Sequence, residues 1–388
     1  MNDATTDILG LTSGEWVAMR QAAGEGTGAA LATYRRVFRE GVLEEVPSSG
    51  SCQPSAISRQ PRAVGAIREL REGETLKFVL PIEDGLETES VILPMHGRGR
   101  TSYTLCVSSQ VGCAMGCRFC ETGRMGLLRN LTPAQVVRQW HVARHGYGAP
   151  IRNIVFMGMG EPMDNLDAVL QAIRVLTDRN GPCIAPASIA VSTVGRVEGI
   201  ERLRRFAAQP GFRRLKLAVS LNAPNDAIRS SIMPINRAEP MEMLKKAMQA
   251  WTGVGREDRR RDAGATQAGV DDAAGTPVLI EYVLIPSVND QPEHAEELAA
   301  YLRDLPCKVN VIPYNPRRDS PWPAPEESVV ASFVERLRSL GLFVKRRRTL
   351  GRSVMAACGQ LGNPGIRRRR FVSIGSENDA DQSNPASA

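Results

Sequence analysis

The sequence predicts an α/β protein whose main body is a partial (β/α)6 barrel, with a small helical N-terminal domain and a β-meander extension. Three observations carry that prediction. Strand-like apolar runs and helix-like amphipathic runs alternate from residue 151 to residue 346, giving about six repeats, the pattern of parallel strands joined by helices. Polar and glycine-rich segments recur just past those strands, where such a barrel builds its site. Residues 65–93 follow a different rule: short extended runs are broken at Glu72-Gly73 and Asp84-Gly85, which are hairpin signals.

The elements follow in order. Residues 13–40 read as two short helices, with Thr12 and Glu15 as a capping box and Leu31, Tyr34, Val37 and Phe38 at helical spacing. Two helices this small bury little area alone, so residues 1–45 are expected to be an accessory domain or to pack on the main one. Residues 46–64, rich in Ser, Pro and Gln, read as a linker containing Cys52. The meander occupies 65–95, with strands at Ile67–Leu70, Leu76–Leu80 and Ser90–Leu93. The catalytic domain spans 96–365 and opens with a strand near Tyr103–Val107. Thr132, Pro133 and Gln135 start a helix that ends near Gly146. Further strands are expected at 151–157, 187–192, 215–221, 278–285, 307–312 and 342–346. Helices are expected at 166–178, 196–207, 226–232, 240–252, 291–303 and 326–340. Residues 255–276 are charged and Gly/Ala-rich without periodicity, as in a disordered surface insertion. Residues 366–388 read as a basic run followed by a disordered tail.

Composition narrows the class. Hydrophobic and charged contents of 42% and 23% are those of a globular soluble chain. No apolar run is long enough to span a bilayer, and the N-terminus lacks the basic and apolar regions of a secretory signal. Eight cysteines, three of them at ligand spacing, fit a reducing cytoplasm better than a disulfide framework. A cytoplasmic protein is expected. The net charge of +7 is compatible with a polyanionic partner. It gathers in three places: Arg202, Arg204, Arg205, Arg213 and Arg214; Lys345 to Arg348 with Arg352; and Arg367 to Arg370.

The chemistry concentrates between Cys106 and Cys120. Cys113, Cys117 and Cys120 stand at Cys-x3-Cys-x2-Cys spacing, so three thiolates can ligate three irons of a 4Fe-4S cluster and leave the fourth iron open. A zinc site would want a fourth ligand, usually in a second close pair; Cys106 could serve, but no such pair follows. Buried structural thiols are common, yet a glycine-containing loop with polar neighbours suits them poorly. The loop resembles that of radical S-adenosylmethionine (SAM) enzymes, whose open iron is chelated by the amino and carboxylate groups of SAM.

Candidate SAM contacts fall past successive strands: Gly160 and Glu161, Ser192, Ser220-Leu221-Asn222, and Asn315. Each alone reads as turn chemistry; together they share one barrel rim, with Glu161 placed to take the SAM ammonium. Cys358 lies in Met-Ala-Ala-Cys-Gly-Gln-Leu just past the basic run 345–352, and cationic neighbours are expected to lower its pKa. Cys106 could reach the same site. Both could equally be buried structural cysteines, while Cys183 and Cys307 have no such context.

Longer matches sharpen the resemblance. Thr-Leu-Cys-Val-Ser-Ser-Gln-Val-Gly-Cys (104–113), Gly-Met-Gly-Glu-Pro-Met-Asp-Asn (158–165), Ser-Leu-Asn-Ala-Pro-Asn-Asp (220–226), Met-Pro-Ile-Asn (233–236), Glu-Tyr-Val-Leu-Ile-Pro-Ser-Val-Asn-Asp (281–290) and Ala-Ala-Cys-Gly-Gln-Leu (356–361) run in one order. In that order they resemble the radical-SAM adenosine methyltransferases of large-subunit ribosomal RNA, the RlmN/Cfr family; the first 45 residues match its helical domain loosely.

The resemblance implies methylation of adenine C2 in 23S rRNA and in tRNA, with two SAM per turnover. Cys358 takes a methyl group from one SAM. A second SAM on the cluster yields a radical that activates this methyl for addition to the adenine ring. Glu89 removes the ring proton, and Cys106 attacks Cys358 to release the product through a transient disulfide. A flavodoxin or ferredoxin supplies electrons to a monomeric enzyme. The C8-methylating relative shares these cysteines, and an iron-sulfur RNA-binding regulator without catalysis is the reading from another class. Three departures stand out: Asn222 in place of the family's histidine, Glu121 where a small residue is common, and a longer Pro94–Cys106 connection.

Overall fold

A computed structural model describes residues 7–43, 68–97, 100–253, 276–317, 319–347, 351 and 354–363. The expected linker with Cys52, the insertion apart from Thr276, and the 366–388 tail lie outside the described residues.

Helix α1 (Ser13–Ala22) starts at the expected box, with Glu15 N donating to Thr12 Oγ1 and Thr12 N to the Glu15 carboxylate at 2.8 Å. With α2 (Thr27–Arg35) it packs onto the main body, because Trp16, Tyr34, Val37 and Phe38 join the same buried core as the barrel. Ser13 N and Oγ donate to Asp178, and the rings of His141 and His145 donate to the carbonyls of Val37 and Phe38.

Ten strands form one sheet. β1 (Arg68–Glu72), β2 (Thr75–Pro81), β3 (Glu87–Gly97) and β4 (Arg100–Cys106) run antiparallel in order. From β4 the sheet turns parallel through β7 (Ile151–Phe156), β8 (Ile189–Thr193), β9 (Lys216–Ser220), β10 (Val278–Leu284), β11 (Cys307–Pro313) and β12 (Val344–Arg346). Short β5 (Gln110–Cys113) and β6 (Gly126–Asn130) pair apart from it. The crossovers are helical, among them α4 (Pro133–His141), α5 (Leu166–Thr177), α6 (Val197–Ala207), α7 (Asp226–Ile232) and α8 (Met241–Thr252), with α3 (Glu121–Met125) following the cysteine loop. The expected α/β architecture is the one observed. No helix among the described residues is long and apolar enough to cross a membrane.

Strand register sorts the side chains. Leu105, Ile154, Val191, Leu217, Val219, Ile280 and Val309 are fully buried on one face. The pleat turns Glu89, Cys106, Ser192, Ser220, Glu281 and Asn310 to the other. After β12 the chain returns to the meander: Gly351 N donates to Glu72 (2.9 Å), Lys77 Nζ to Met355 O (3.1 Å) and Gly362 N to Glu89 (3.0 Å). The loop bearing Cys358 thereby links the last parallel strand to the antiparallel end.

Candidate active site

The cysteine loop is anchored by backbone geometry. Gly112 sits at φ 74°, and a Cβ there would lie 1.9 Å from Gly126 O, so only glycine lets β5 close on β6 beside Cys113. Cys120 N donates to Cys117 O and Arg118 N to Ile232 O, folding the loop back on itself and on the end of α7. Cys113 and Cys117 are buried and Cys120 is half-buried. Burial raises all three thiols, Cys113 to about 12, and the mutual charges of Cys113, Cys117 and Cys120 raise Cys117 further. Three thiols that resist ionising because they share one dry site are suited to a cationic iron core among them. Among the described residues no three His, Cys, Asp or Glu groups converge as ligands of a single ion. A cubane, by contrast, takes each thiolate on a separate iron. The donor set fits the cluster.

Several of the strand-end groups are committed to neighbouring backbone and side chains. Gly160 (φ 97°) packs its backbone against Gln110, where a Cβ would come within 2.5 Å; this glycine serves approach to the cysteine loop itself. Glu161 is buried, its two oxygens accepting from Met163 N (3.1 Å) and Val194 N (2.9 Å), and burial lifts it to about 7. Ser192 is buried at the end of β8, and Ser220 half-buried at the end of β9. Leu221 is fully buried, its N donating to Glu281 O. Asn222 adopts φ 57°, a left-handed conformation that asparagine tolerates. Its Oδ1 accepts from Val283 N (2.9 Å), and its carbonyl from Asn289 Nδ2 (2.8 Å). The residue that departs from the family's histidine thus ties β9 to β10. Asn315 is buried beyond β11.

Across the inner face stands a second group. Cys106 is buried on β4, opposite Val91 and beside Val155. Burial raises its thiol first, with Cys358 the next cause. Both are free thiols. Glu89 pairs with Lys77 at 3.0 Å, both side chains 7% exposed, and also receives Gly362 N. Cys358 itself has exposed surface, yet its thiol is raised, by burial first and then by Glu281, with Arg347 opposing. The expected lowering by the basic run does not occur: desolvation in the hollow outweighs one neighbouring guanidinium.

The basic clusters are also partly spoken for. Arg202 pairs with Asp167, and Arg204 and Arg205 with Glu201. Arg346 pairs with Glu327. Residues 348, 352 and 367–370 lie outside the described residues.

Residues 107–256 match the Radical SAM superfamily. The chain is 43% identical over 304 residues to a probable dual-specificity RNA methyltransferase RlmN 1 of Protochlamydia amoebophila, covering 78% of this chain and 77% of that protein. It is 42% identical over 299 residues to the dual-specificity RNA methyltransferase RlmN of Halorhodospira halophila, covering 77% and 75%. This chain belongs to the RlmN family of radical-SAM RNA methyltransferases. The crystal structure of a radical SAM methyltransferase from Sphaerobacter thermophilus superposes with a TM-score of 0.75 at 36% identity, over 91% of this chain and 98% of that one.

Membership in this family brings a 4Fe-4S cluster and SAM as cofactors. Three buried charged residues beside the site escaped the sequence reading. Lys77 holds Glu89. Glu281 accepts from Asn310 Nδ2 at 2.8 Å. Arg229 is fully buried under the strand ends. Each reads in sequence as an ordinary surface charge on a strand or short helix, and only tertiary packing turns it inward.

Proposed function

We propose that this RlmN-family protein methylates C2 of an adenosine in 23S large-subunit rRNA and in tRNA, through a methyl group carried on Cys358. The single observation that carries the reading is that Glu89 and Cys106 share one face of adjacent antiparallel strands and the loop bearing Cys358 is hydrogen-bonded to that end of the sheet. Val91, two residues past Glu89, pairs with Cys106; Gly362, four residues past Cys358, donates to Glu89, and Lys77 Nζ donates to Met355 O.

Cys113, Cys117 and Cys120 hold the cluster, and Gly160, Glu161, Ser192, Ser220, Leu221, Asn222 and Asn315 frame SAM on the rim. The cluster and SAM together supply a carbon-centred radical, chemistry that side chains cannot perform. The protein's residues do the rest. Cys358 accepts a methyl group from one SAM by displacement and presents it, and a second SAM is spent activating it. Glu89 takes the proton from the adenine carbon. Cys106, as the thiolate, then attacks the sulfur of Cys358. The disulfide forms as the sulfur–carbon bond breaks, its electron pair passing to the RNA-bound carbon, which takes up a proton to become the methyl group. Such exchange needs a nucleophile within reach of the sulfur. A flavodoxin- or ferredoxin-type protein donates the electrons, and the enzyme works as a cytoplasmic monomer.

Nucleoside mass spectrometry of rRNA and tRNA treated with the reconstituted enzyme tests this. It should yield 2-methyladenosine. Methylation at C8 would reassign the product, and no methylated adenosine from a cluster-loaded enzyme would leave an RNA-binding iron-sulfur protein.

A further inference from the structure

Among the described residues, Arg229 is a buried cation that no carboxylate pairs with. The residue lies on α7 and is fully buried. Its Nε donates to Leu221 O (3.1 Å), Nη1 to Asn236 Oδ1 (2.8 Å) and Nη2 to Val194 O. All three acceptors are neutral. Two carboxylates that act on it, Asp226 and Glu239, are engaged elsewhere. Asp226 accepts from Asn236 Nδ2 and Met241 N. Glu239 takes Arg196 Nη1 and Val197 N.

A guanidinium taken out of water without an anionic partner is expensive, and hydrogen bonds to neutral oxygens recover only part of the loss. Such a group persists where its charge is used. The cysteine loop lies against Arg229's own helix: Arg118, the residue after Cys117, donates from N to Ile232 O (2.9 Å) and from Nη1 to Ser231 O (3.3 Å), and Cys117 packs in one buried cluster with Ile232 and Met233. Three cysteinates leave a 4Fe-4S centre with net negative charge, and one-electron reduction adds another. The net charge of a cluster and its surroundings set its potential. The same guanidinium holds Val194 and Leu221, the residues following β8 and β9, at a fixed separation on the rim assigned to SAM.

We propose that Arg229 is the built-in counter-charge of the cluster: a buried guanidinium locked by Val194, Leu221 and Asn236 that stabilises the reduced centre and positions the rim for SAM. This rests on the cluster reading above. It makes Arg229 a positioning residue whose effect is read at the metal centre, apart from turnover.

The test uses the full chain, reconstituted anaerobically, as wild type, Arg229→Gln and Arg229→Lys, matched for iron content and circular dichroism. The midpoint potential is measured by redox titration followed by electron paramagnetic resonance, and SAM affinity separately. Arg229→Gln should shift the potential to more negative values. Arg229→Lys should keep it close to wild type while binding SAM more weakly, since charge survives and the three-way clamp does not. A wild-type potential in Arg229→Gln, or equal negative shifts in both variants, would overturn the proposal. Should Arg229→Gln fail to assemble a cluster, Arg229→Lys decides alone: a potential near wild type supports the counter-charge, and a negative shift refutes it. Wild-type protein that takes up no iron would defeat the cluster reading itself, a distinct failure.

Discussion

Replacing Lys77 by methionine should destabilise the protein strongly and the loss should be mostly recovered by a second change. Lys77 Nζ sits 3.0 Å from Glu89 Oε2, with both side chains only 7% exposed, and it also donates to Met355 O at 3.1 Å. Removing one partner of a buried ion pair leaves the other charge uncompensated in a dry site, at about 3–5 kcal/mol. Methionine nearly conserves the volume, so the cavity contribution is small. Neutralising Glu89 as well, in Lys77→Met with Glu89→Gln, removes the orphan charge and should restore most of that loss. Gly362 N keeps an acceptor in the glutamine, so the loop behind Cys358 stays anchored. The assay is urea denaturation of cluster-free protein for both singles and the double, read as a double-mutant cycle. A cost below about 1 kcal/mol for Lys77→Met would place the pair in effectively aqueous surroundings. Glu89 would then not be the enclosed base beside Cys106 that the mechanism needs.

Cys358→Ala should show neither methylcysteine nor product. Cys106→Ala should stall as a covalent protein–RNA adduct surviving denaturing electrophoresis, and that adduct should vanish in the double variant; normal turnover by Cys106→Ala would make it a structural thiol. Glu161 is raised to about 7 by burial, so its own contribution to the stability of the cluster-free protein should be larger at pH 4.5 than above 7. The folded state holds a proton there that the unfolded chain releases, a difference of roughly 3 kcal/mol in a pH–stability profile, which Glu161→Gln should flatten. RNA affinity should fall steeply as salt rises in filter-binding assays, through counterion release; a flat response between low and moderate salt would remove electrostatics from recognition.

Legibility followed locality. α7 runs Asp226–Ile232 as its sequence suggests, because the Asn225 cap and the Met233-Pro234 stop are local signals. β3 was legible only in its middle: the strand continues through Pro94, which pairs with Tyr103, out to Gly97. Proline and glycine there looked like loop residues, and cross-strand pairing overrode them. The β5–β6 pair was invisible, since its strands are short and its register depends on Gly112 meeting Gly126 across the cysteine loop. The spacing of Cys113, Cys117 and Cys120 announced the cluster, whereas Arg229, Lys77 and Glu281 gave no sign of burial. A charge reveals its burial only through neighbours that are remote in sequence.

The division of labour between strands and loop follows from what each group must do. On the proposed mechanism Cys358 meets SAM, an RNA base and Cys106 in turn, so its sulfur cannot be fixed in a sheet. Glu89 and Cys106 each act once and at one place, and they sit on adjacent antiparallel strands whose register holds them. The Cys358 loop is accordingly held by hydrogen bonds on either side of the cysteine. Lys77 holds Met355, Gln360 Nε2 donates to Pro316 O, and Gly362 donates to Glu89. Met355 and Gly359 bracket the cysteine at φ 51° and 81°. Glu121 N also donates to Gly359 O at 2.7 Å, tying the residue after Cys358 to the residue after the last cluster cysteine. That backbone hydrogen bond joins the Cys358 loop to the cysteine loop, and Thr122 Oγ1, donating to Leu361 O, adds a second tie between the two.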